Sequence, residues 1–294
     1  MPSPGILRVI VCAMLVSGGA RGGDTSMDQD DHGAIQVGDI SMGYRIFGEG
    51  YPLVMITGFS GTMDMWDPEV ISLLSAHYRV IVLDNRGIGT TTAGTEEFTI
   101  EQFADDAAGL MEALGIEKAH VLAWSMGTEI ALELVLRHPE RVDRLILYAG
   151  DCQMNLCPPS PDVLADLYDT TGTDEERGER LLSHLFPREW LAANMDSVIT
   201  LFSSFTETAS PASVQKQAEA MDAWRGAQDR LGQISTPTLL VTGTEDVLTP
   251  PQNSILLRDG LPDARLIEFE NAGHGLMYQY PREFAEVVLG FLSS

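Results

Sequence analysis

The stretch that decides the fold is Ala123-Trp124-Ser125-Met126-Gly127, which joins an apolar run at 119–123 to an amphipathic run at 129–137. The apolar run predicts a buried strand and the amphipathic run predicts a helix. A serine on a sharp turn between such a strand and helix is typical of a nucleophile elbow, whose small flanking residues allow a strained backbone. Because serine is also a favoured N-cap residue, a simple helix start is the alternative.

Short apolar runs alternate with amphipathic runs on both sides of this turn. The predicted strands are residues 43–47, 53–57, 79–83, 119–123, 144–148, 238–242 and 265–269. The predicted helices are residues 68–74, 100–114, 126–137, 251–258 and 282–292. Near-continuous apolar strands that alternate with helices predict an α/β fold, with a mostly parallel central sheet flanked by helices.

The segment 152–232 interrupts this alternation, because it contains helical patterns and no convincing strand. Its predicted helices are residues 163–168, 175–185 and 214–224. We therefore expect a helical cap at 152–232, inserted between two strands of the sheet. The cap divides the core into a first part at 36–151 and a second part at 233–294.

Two later loops supply a candidate acid and a candidate base for the serine. Asp246 follows one predicted strand, and His274 lies between two glycines after the next strand. In this arrangement His274 would remove the proton of Ser125, and Asp246 would orient the imidazole. Asp151, which follows the strand before the cap, is the alternative acid. The chain order Ser, Asp, His, with each residue after a separate strand, predicts a catalytic triad.

Further motifs carry a resemblance to a known family. Residues 83–90, Leu-Asp-Asn-Arg-Gly-Ile-Gly-Thr, resemble the family's Asp-x-Arg-Gly-x-Gly-Ser loop, and residues 137–142 resemble the segment after its elbow helix. Over 43–291 the chain resembles the α/β-hydrolase-fold superfamily. The similar members are serine hydrolases: small-ester hydrolases, proline iminopeptidase-like enzymes, carbon–carbon bond hydrolases and haloperoxidase-like perhydrolases.

The chain departs from the family pattern at two positions. Ala123 stands where the elbow usually begins with Gly, and Thr57 stands where the oxyanion loop usually has His. The resemblance implies an oxyanion hole formed by the backbone N–H groups of Phe59 and Met126, so the missing His side chain need not remove it. We expect the Thr57 hydroxyl to support this loop.

The resemblance implies a serine hydrolase that cleaves a small carboxylic ester or related acyl compound through an acyl-enzyme on Ser125. Amide, peptide, lactone or carbon–carbon bond hydrolysis and perhydrolysis would use the same triad, and a non-catalytic ligand-binding homologue is the alternative of another class. Candidate substrate contacts are Trp124, for which packing behind the elbow is the alternative, and His184 in the cap. The expected partner is a small-molecule substrate, and the oligomeric state stays open.

No cofactor or metal is expected. The third glycine of a dinucleotide fingerprint beginning at Gly87 and Gly89 is replaced by Thr92, and no helix is predicted to begin there. Cys152 and Cys157 have no His or Cys partners at metal-ligand spacing. In an oxidising compartment these two cysteines could form a disulfide, whereas in a cytosol they would be thiols.

The composition argues against nucleic-acid binding. The chain has 294 residues, 44% of them hydrophobic, with 18 Lys plus Arg against 43 Asp plus Glu and a formal net charge of −25. A field of that sign repels phosphate backbones and anionic membranes.

The N-terminus has the pattern of a secretory leader. Arg8 precedes an apolar run at 9–16, which is followed by four small residues. This pattern predicts a signal peptide at 1–20, a flexible segment at 21–35 and export to the periplasm or medium. The apolar run is too short for a stable membrane anchor. The alternative is a true start at Met27 and a cytoplasmic protein.

Overall fold

The computed structural model describes residues 31–153, 155–169 and 171–294. Its strands are β1 (Asp31–Val37), β2 (Ile40–Phe47), β3 (Pro52–Ile56), β4 (Arg79–Leu83), β5 (Ala119–Trp124), β6 (Val142–Tyr148), β7 (Thr238–Gly243) and β8 (Ala264–Phe269). They form one sheet in the order β1-β2-β4-β3-β5-β6-β7-β8. Only the β1–β2 and β2–β4 pairs of this sheet are antiparallel. The predicted mostly parallel sheet is confirmed.

The helices cover both faces of the sheet. They are α1 (Pro68–Ser75), α2 (Ile100–Ala113), α3 (Met126–Arg137), α4 (Pro161–Tyr168), α5 (Asp174–Leu185), α6 (Arg188–Phe202), α7 (Pro211–Ala223), α8 (Gln252–Gly260), α9 (Leu276–Gln279) and α10 (Pro281–Leu292). Along β5, Val121 and Ala123 join the core under α2 and α3, whereas Leu122 and Trp124 join the core under α1 and α10. This alternation explains why the strand is apolar throughout, since both of its faces are buried.

The loop that follows β4 ties the core together. Arg86 is almost fully buried and its guanidinium contacts Asp106 at 2.7 Å and Asp39 at 2.8 Å. The Asp84 carboxylate accepts the backbone N–H groups of Met63 and Thr90, each at 2.8 Å. The motif that carried the family resemblance thus fixes the loops at the carboxyl edge of the sheet.

Four helices, α4 to α7, lie between β6 and β7 in the chain, and we use the word cap for this segment alone. Helix α6 was not predicted, and among its apolar residues only Leu191 and Val198 are buried, so its sequence shows a weak helical pattern. Cys152 is buried and Cys157 is half-buried, and both are free thiols.

The structure corrects one boundary near the N-terminus. Residues 31–35, predicted to be flexible, belong to β1 and pair with β2, as in Ile35 opposite Met42. This edge strand is mostly exposed or half-buried, so it lacks the apolar run that marks the central strands. The predicted leader at 1–20 lies outside the described residues. Across residues 31–294 as described, no helix is long and apolar enough to cross a membrane.

Candidate active site

Ser125 lies on a strained turn between β5 and α3. Its backbone has φ 56° and ψ −125°, a conformation that L-residues rarely adopt. A Cβ on Gly127 would lie 2.4 Å from the carbonyl oxygen of Ile56, so only glycine allows α3 to start this close to β3. The Ser125 N–H donates to the carbonyl of Tyr148 at 3.0 Å. The neighbouring strands therefore hold the serine at the carboxyl edge of the sheet.

The structure brings His274 and Asp246 together. His274 Nδ1 lies 2.8 Å from Asp246 Oδ2, and both side chains are buried. The other oxygen, Oδ1, accepts the backbone N–H groups of Leu248 at 2.9 Å and Thr249 at 2.8 Å. Because a carboxylate only accepts, the proton lies on Nδ1 and the imidazole keeps Nε2 as its basic nitrogen.

Three contacts that the sequence did not predict hold the loop around His274. The Tyr148 hydroxyl donates to the His274 carbonyl at 2.5 Å, and burial raises the pKa of this phenol well above its ordinary value. Gln279 Oε1 accepts from Gly273 N at 2.8 Å, and the Leu185 carbonyl accepts from Gly275 N at 2.9 Å. The only sequence signal for this support was a tyrosine at the end of the otherwise aliphatic second half of β6.

The predicted oxyanion loop, residues 57–61, lies against the nucleophile. A Cβ on Gly58 would approach Ser125 Cβ to 2.9 Å, so the loop can pass this closely only with glycine there. Phe59, the next residue, is half-buried, and Met126 is the first residue of α3. The two predicted N–H donors therefore belong to residues that follow Gly58 and Ser125 directly.

Two side chains set the shape of this loop. As predicted, the Thr57 hydroxyl donates to a carbonyl within the loop, that of Gly61, at 3.0 Å. Ser60 has φ 54°, and its N–H donates to Gln217 Oε1 at 2.9 Å. Gln217 belongs to α7 and its side chain is fully buried. Helix α7 thus contributes directly to the loop that contains Phe59, a contact that no pattern in the sequence predicts.

The structure places both candidate substrate contacts in packed surroundings. Trp124 is buried and stacks on Tyr148, with ring centroids 5.8 Å apart. Its ring also lies 5.8 Å from that of His274, which is the packing behind the elbow stated above as the alternative. His184 is buried in α5, and its Nε2 lies 3.5 Å from Asp166 Oδ2 in α4. Burial lowers the pKa of His184.

Asp151 does not accept a hydrogen bond from His274. Its charge affects the pKa of Glu129 instead. Burial and the charge of Asp151 raise the pKa of Glu129 well above its ordinary value. Burial raises the pKa of Asp151 itself to about 6. The neighbouring Cys152 thiol, also buried, has a pKa raised to about 12, so it is a poor nucleophile. Of the two candidate acids, the structure therefore places Asp246 on the histidine.

The arrangement combines a serine on a strained turn, an oriented imidazole and a backbone loop beside the serine. These are the parts that acyl transfer to a serine hydroxyl requires. In the described part of the chain, no group of three or more His, Cys, Asp or Glu residues could hold a metal ion.

Comparisons with known proteins agree with the fold. The model of the alpha/beta hydrolase fold family matches residues 51–281. A protein of Azorhizobium caulinodans, provisionally named carbamate hydrolase RutD, is 31% identical over 263 residues, covering 86% of this chain and 96% of its own. A protein of Mycobacterium tuberculosis, provisionally named non-heme bromoperoxidase BpoC, is 32% identical over 268 residues, covering 87% and 98%.

Solved structures of similar fold cover nearly the whole chain. The enol-lactonase from Burkholderia xenovorans LB400 aligns with a TM-score of 0.77 and 25% identity, covering 89% of this chain and 100% of its own. A thermophilic esterase from Thermogutta terrifontis aligns with a TM-score of 0.76 and 25% identity, covering 90% and 98%.

Proposed function

This chain belongs to the α/β-hydrolase fold family, and we propose that it is a serine hydrolase that cleaves a small carboxylic ester or a related acyl compound. The observation that carries the proposal is the strained turn at Ser125 together with the buried hydrogen bond between His274 and Asp246. A serine that only started a helix would need neither a left-handed backbone nor a histidine oriented by a carboxylate.

The reaction follows from the roles of these groups. His274 Nε2 takes the proton of the Ser125 hydroxyl as the oxygen attacks the substrate carbonyl carbon. The backbone N–H groups of Phe59 and Met126 stabilise the oxyanion that forms. His274 then gives its proton to the leaving alcohol, and the acyl group stays on Ser125. Water, activated by the same imidazole, releases the acid and restores the serine.

The nature of the bond is inferred from the names of similar proteins. Two proteins of similar structure are named as a lactonase and an esterase, and both names denote cleavage of an acyl–oxygen bond. The relatives named for carbamate hydrolysis also act on an acyl carbon, by their name. We therefore propose that the substrate is a small acyl compound and that the enzyme cleaves its acyl–oxygen bond.

A fluorophosphonate probe tests the proposal, because it forms a covalent adduct with an activated serine. We expect one adduct on the wild-type protein, located at Ser125 by peptide mass spectrometry, and none on Ser125→Ala. His274→Ala is expected to label far more slowly, since the hydroxyl then has no base. Circular dichroism confirms that each variant is folded. A folded wild-type protein that gives no adduct at Ser125 contradicts the proposal.

A further inference from the structure

Two acidic side chains next to the nucleophile have no role in the proposed triad. Glu129 lies about one turn into α3 from Ser125, which is ~6 Å along the helix axis. Asp151 follows β6, the strand beside β5. A Cβ on Gly150 would lie 2.0 Å from Thr128 Oγ1, so the loop with Asp151 touches the first turn of α3. The two carboxyl groups therefore flank the same corner of the site.

Both carboxyl groups leave an oxygen without a partner. Glu129 is 1% exposed, yet its Oε2 has no hydrogen-bond donor among the described residues. Asp151 receives the N–H of Gln153, but its Oδ1 is buried with no donor in the same part of the chain. An unsatisfied buried acceptor costs about 1–3 kcal/mol, so native structures rarely keep two side by side without a use.

The local charge is of one sign. Among the described residues, the charge that acts on Glu129 is that of Asp151, and no Lys or Arg is paired with either carboxyl. Burial, and after it the charge of Asp151, raises the pKa of Glu129, and burial raises the pKa of Asp151 to about 6. The pair thus presents two acidic side chains, each with an oxygen that has no donor in the described part of the chain. One cationic N–H donor would satisfy both.

We propose that Glu129 and Asp151 form a subsite for the protonated amine of the substrate, so that the protein prefers acyl compounds with an ammonium group a few bonds from the scissile carbonyl. This inference rests on the proposed function, since it places the amine relative to Ser125. Asp151 is a half-buried residue, and Glu129 forms the fully buried end of the pair. A charge-assisted hydrogen bond to each carboxyl would hold the ammonium group.

Two isosteric esters test the subsite. The p-nitrophenyl esters of β-alanine and of butanoic acid differ only by an ammonium in place of a methyl group. We expect wild-type kcat/KM for the β-alanyl ester to exceed that for the butanoyl ester by about tenfold or more. The ratio of the two is expected to fall by a similar factor in Glu129→Gln and Asp151→Asn. Glu133→Gln, one turn further along α3, is the matched control and is expected to keep the wild-type ratio.

A second readout does not depend on the folding of any variant. Butylammonium is expected to inhibit wild-type hydrolysis of the butanoyl ester competitively, at concentrations at which 1-butanol does not. A wild-type ratio at or below one, equal inhibition by the two probes, or an equal fall in Glu133→Gln overturns the inference. Turnover of the butanoyl ester and labelling of Ser125 report the proposed function separately, so the two failures are distinguishable.

Discussion

Helix α3 carries two buried glutamates one turn apart, and they differ in what surrounds them. Glu133 accepts from Trp224 Nε1 at 2.8 Å and from Arg230 Nη1 at 3.0 Å. Glu129 is equally buried, but its Oε2 has no partner in the described chain and its neighbour is another acid, Asp151. In α3, the carboxylate of Glu133 thus has hydrogen-bond donors, whereas that of Glu129 has an oxygen without one.

The difference separates a structural role from a role in binding. Trp224 and Arg230 lie between α7 and β7, so Glu133 joins the end of the cap to the core. Glu129 lies on the turn nearest Ser125, and its Oε2 has no donor among the residues that the structure describes. Since folding alone favours satisfied acceptors, an acid kept unpaired beside the nucleophile is best explained by a ligand that completes it.

The largest expected effect tests whether Asp151 belongs to the proton-transfer machinery instead. The backbone N–H groups of Leu248 and Thr249 would keep the oxygen of Asp246→Asn, so its amide NH2 would face His274 Nδ1 and favour the wrong tautomer, and we expect kcat for the butanoyl ester to fall by about ten-thousand-fold. Asp151→Asn should lower it far less, because its carboxyl does not contact the imidazole. Steady-state kinetics at saturating ester measures both. The reverse order would make Asp151 the triad acid, and the contrast between a binding role near Glu129 and a structural role at Glu133 would no longer hold.

Stability measurements sharpen the comparison between the two glutamates. Glu133→Gln leaves Arg230 without a counter-ion, so we expect the free energy of unfolding to fall by about 2 kcal/mol, a loss moderated because Arg230 is partly exposed. Glu129→Gln removes an unpaired acid, and we expect it to leave the free energy of unfolding unchanged. Urea unfolding followed by circular dichroism measures both. Equal losses in the two variants would show that Glu129 has a structural partner after all.

The smallest expected effect is a pH dependence. The pKa of Asp151 is about 6 in the folded protein against an ordinary 3.8. A raised pKa means that its contribution to stability is present below the unfolded value and is lost as the pH rises through the folded value. Between roughly pH 4 and pH 7, wild type should therefore lose stability relative to Asp151→Asn. Parallel urea titrations across this range would show no such divergence if the carboxyl were solvated.

Local patterns in the sequence predicted the framework around the serine well. Helix α3 was predicted at its observed bounds, Met126–Arg137, because the elbow starts it and Pro139 follows its end. The central strands were placed within two residues, since each is an apolar run between turns. The positions of Asp246 and His274 followed from counting strands, because parallel strands end at the same edge of the sheet.

The unpredicted features depend on residues that only packing brings together. Gln217 and Ser60 are 157 positions apart, and neither belongs to a motif that would pair them. Glu129 fits the polar positions of an amphipathic helix, so its burial beside Asp151 cannot be read from periodicity. Edge strand β1 was missed for the converse reason, as its residues are too exposed to form an apolar run.

The hydrogen bond from Ser60 to Gln217 matters for anyone who exchanges caps between members of this family. A chimaera that replaces α7 also removes the acceptor that holds the left-handed turn beside Phe59. A grafted cap without a glutamine or equivalent acceptor at this position would change the substrate pocket and would also displace the backbone amide of Phe59. Grafted caps should therefore be chosen first for this one side chain, and only then for the shape of their lining.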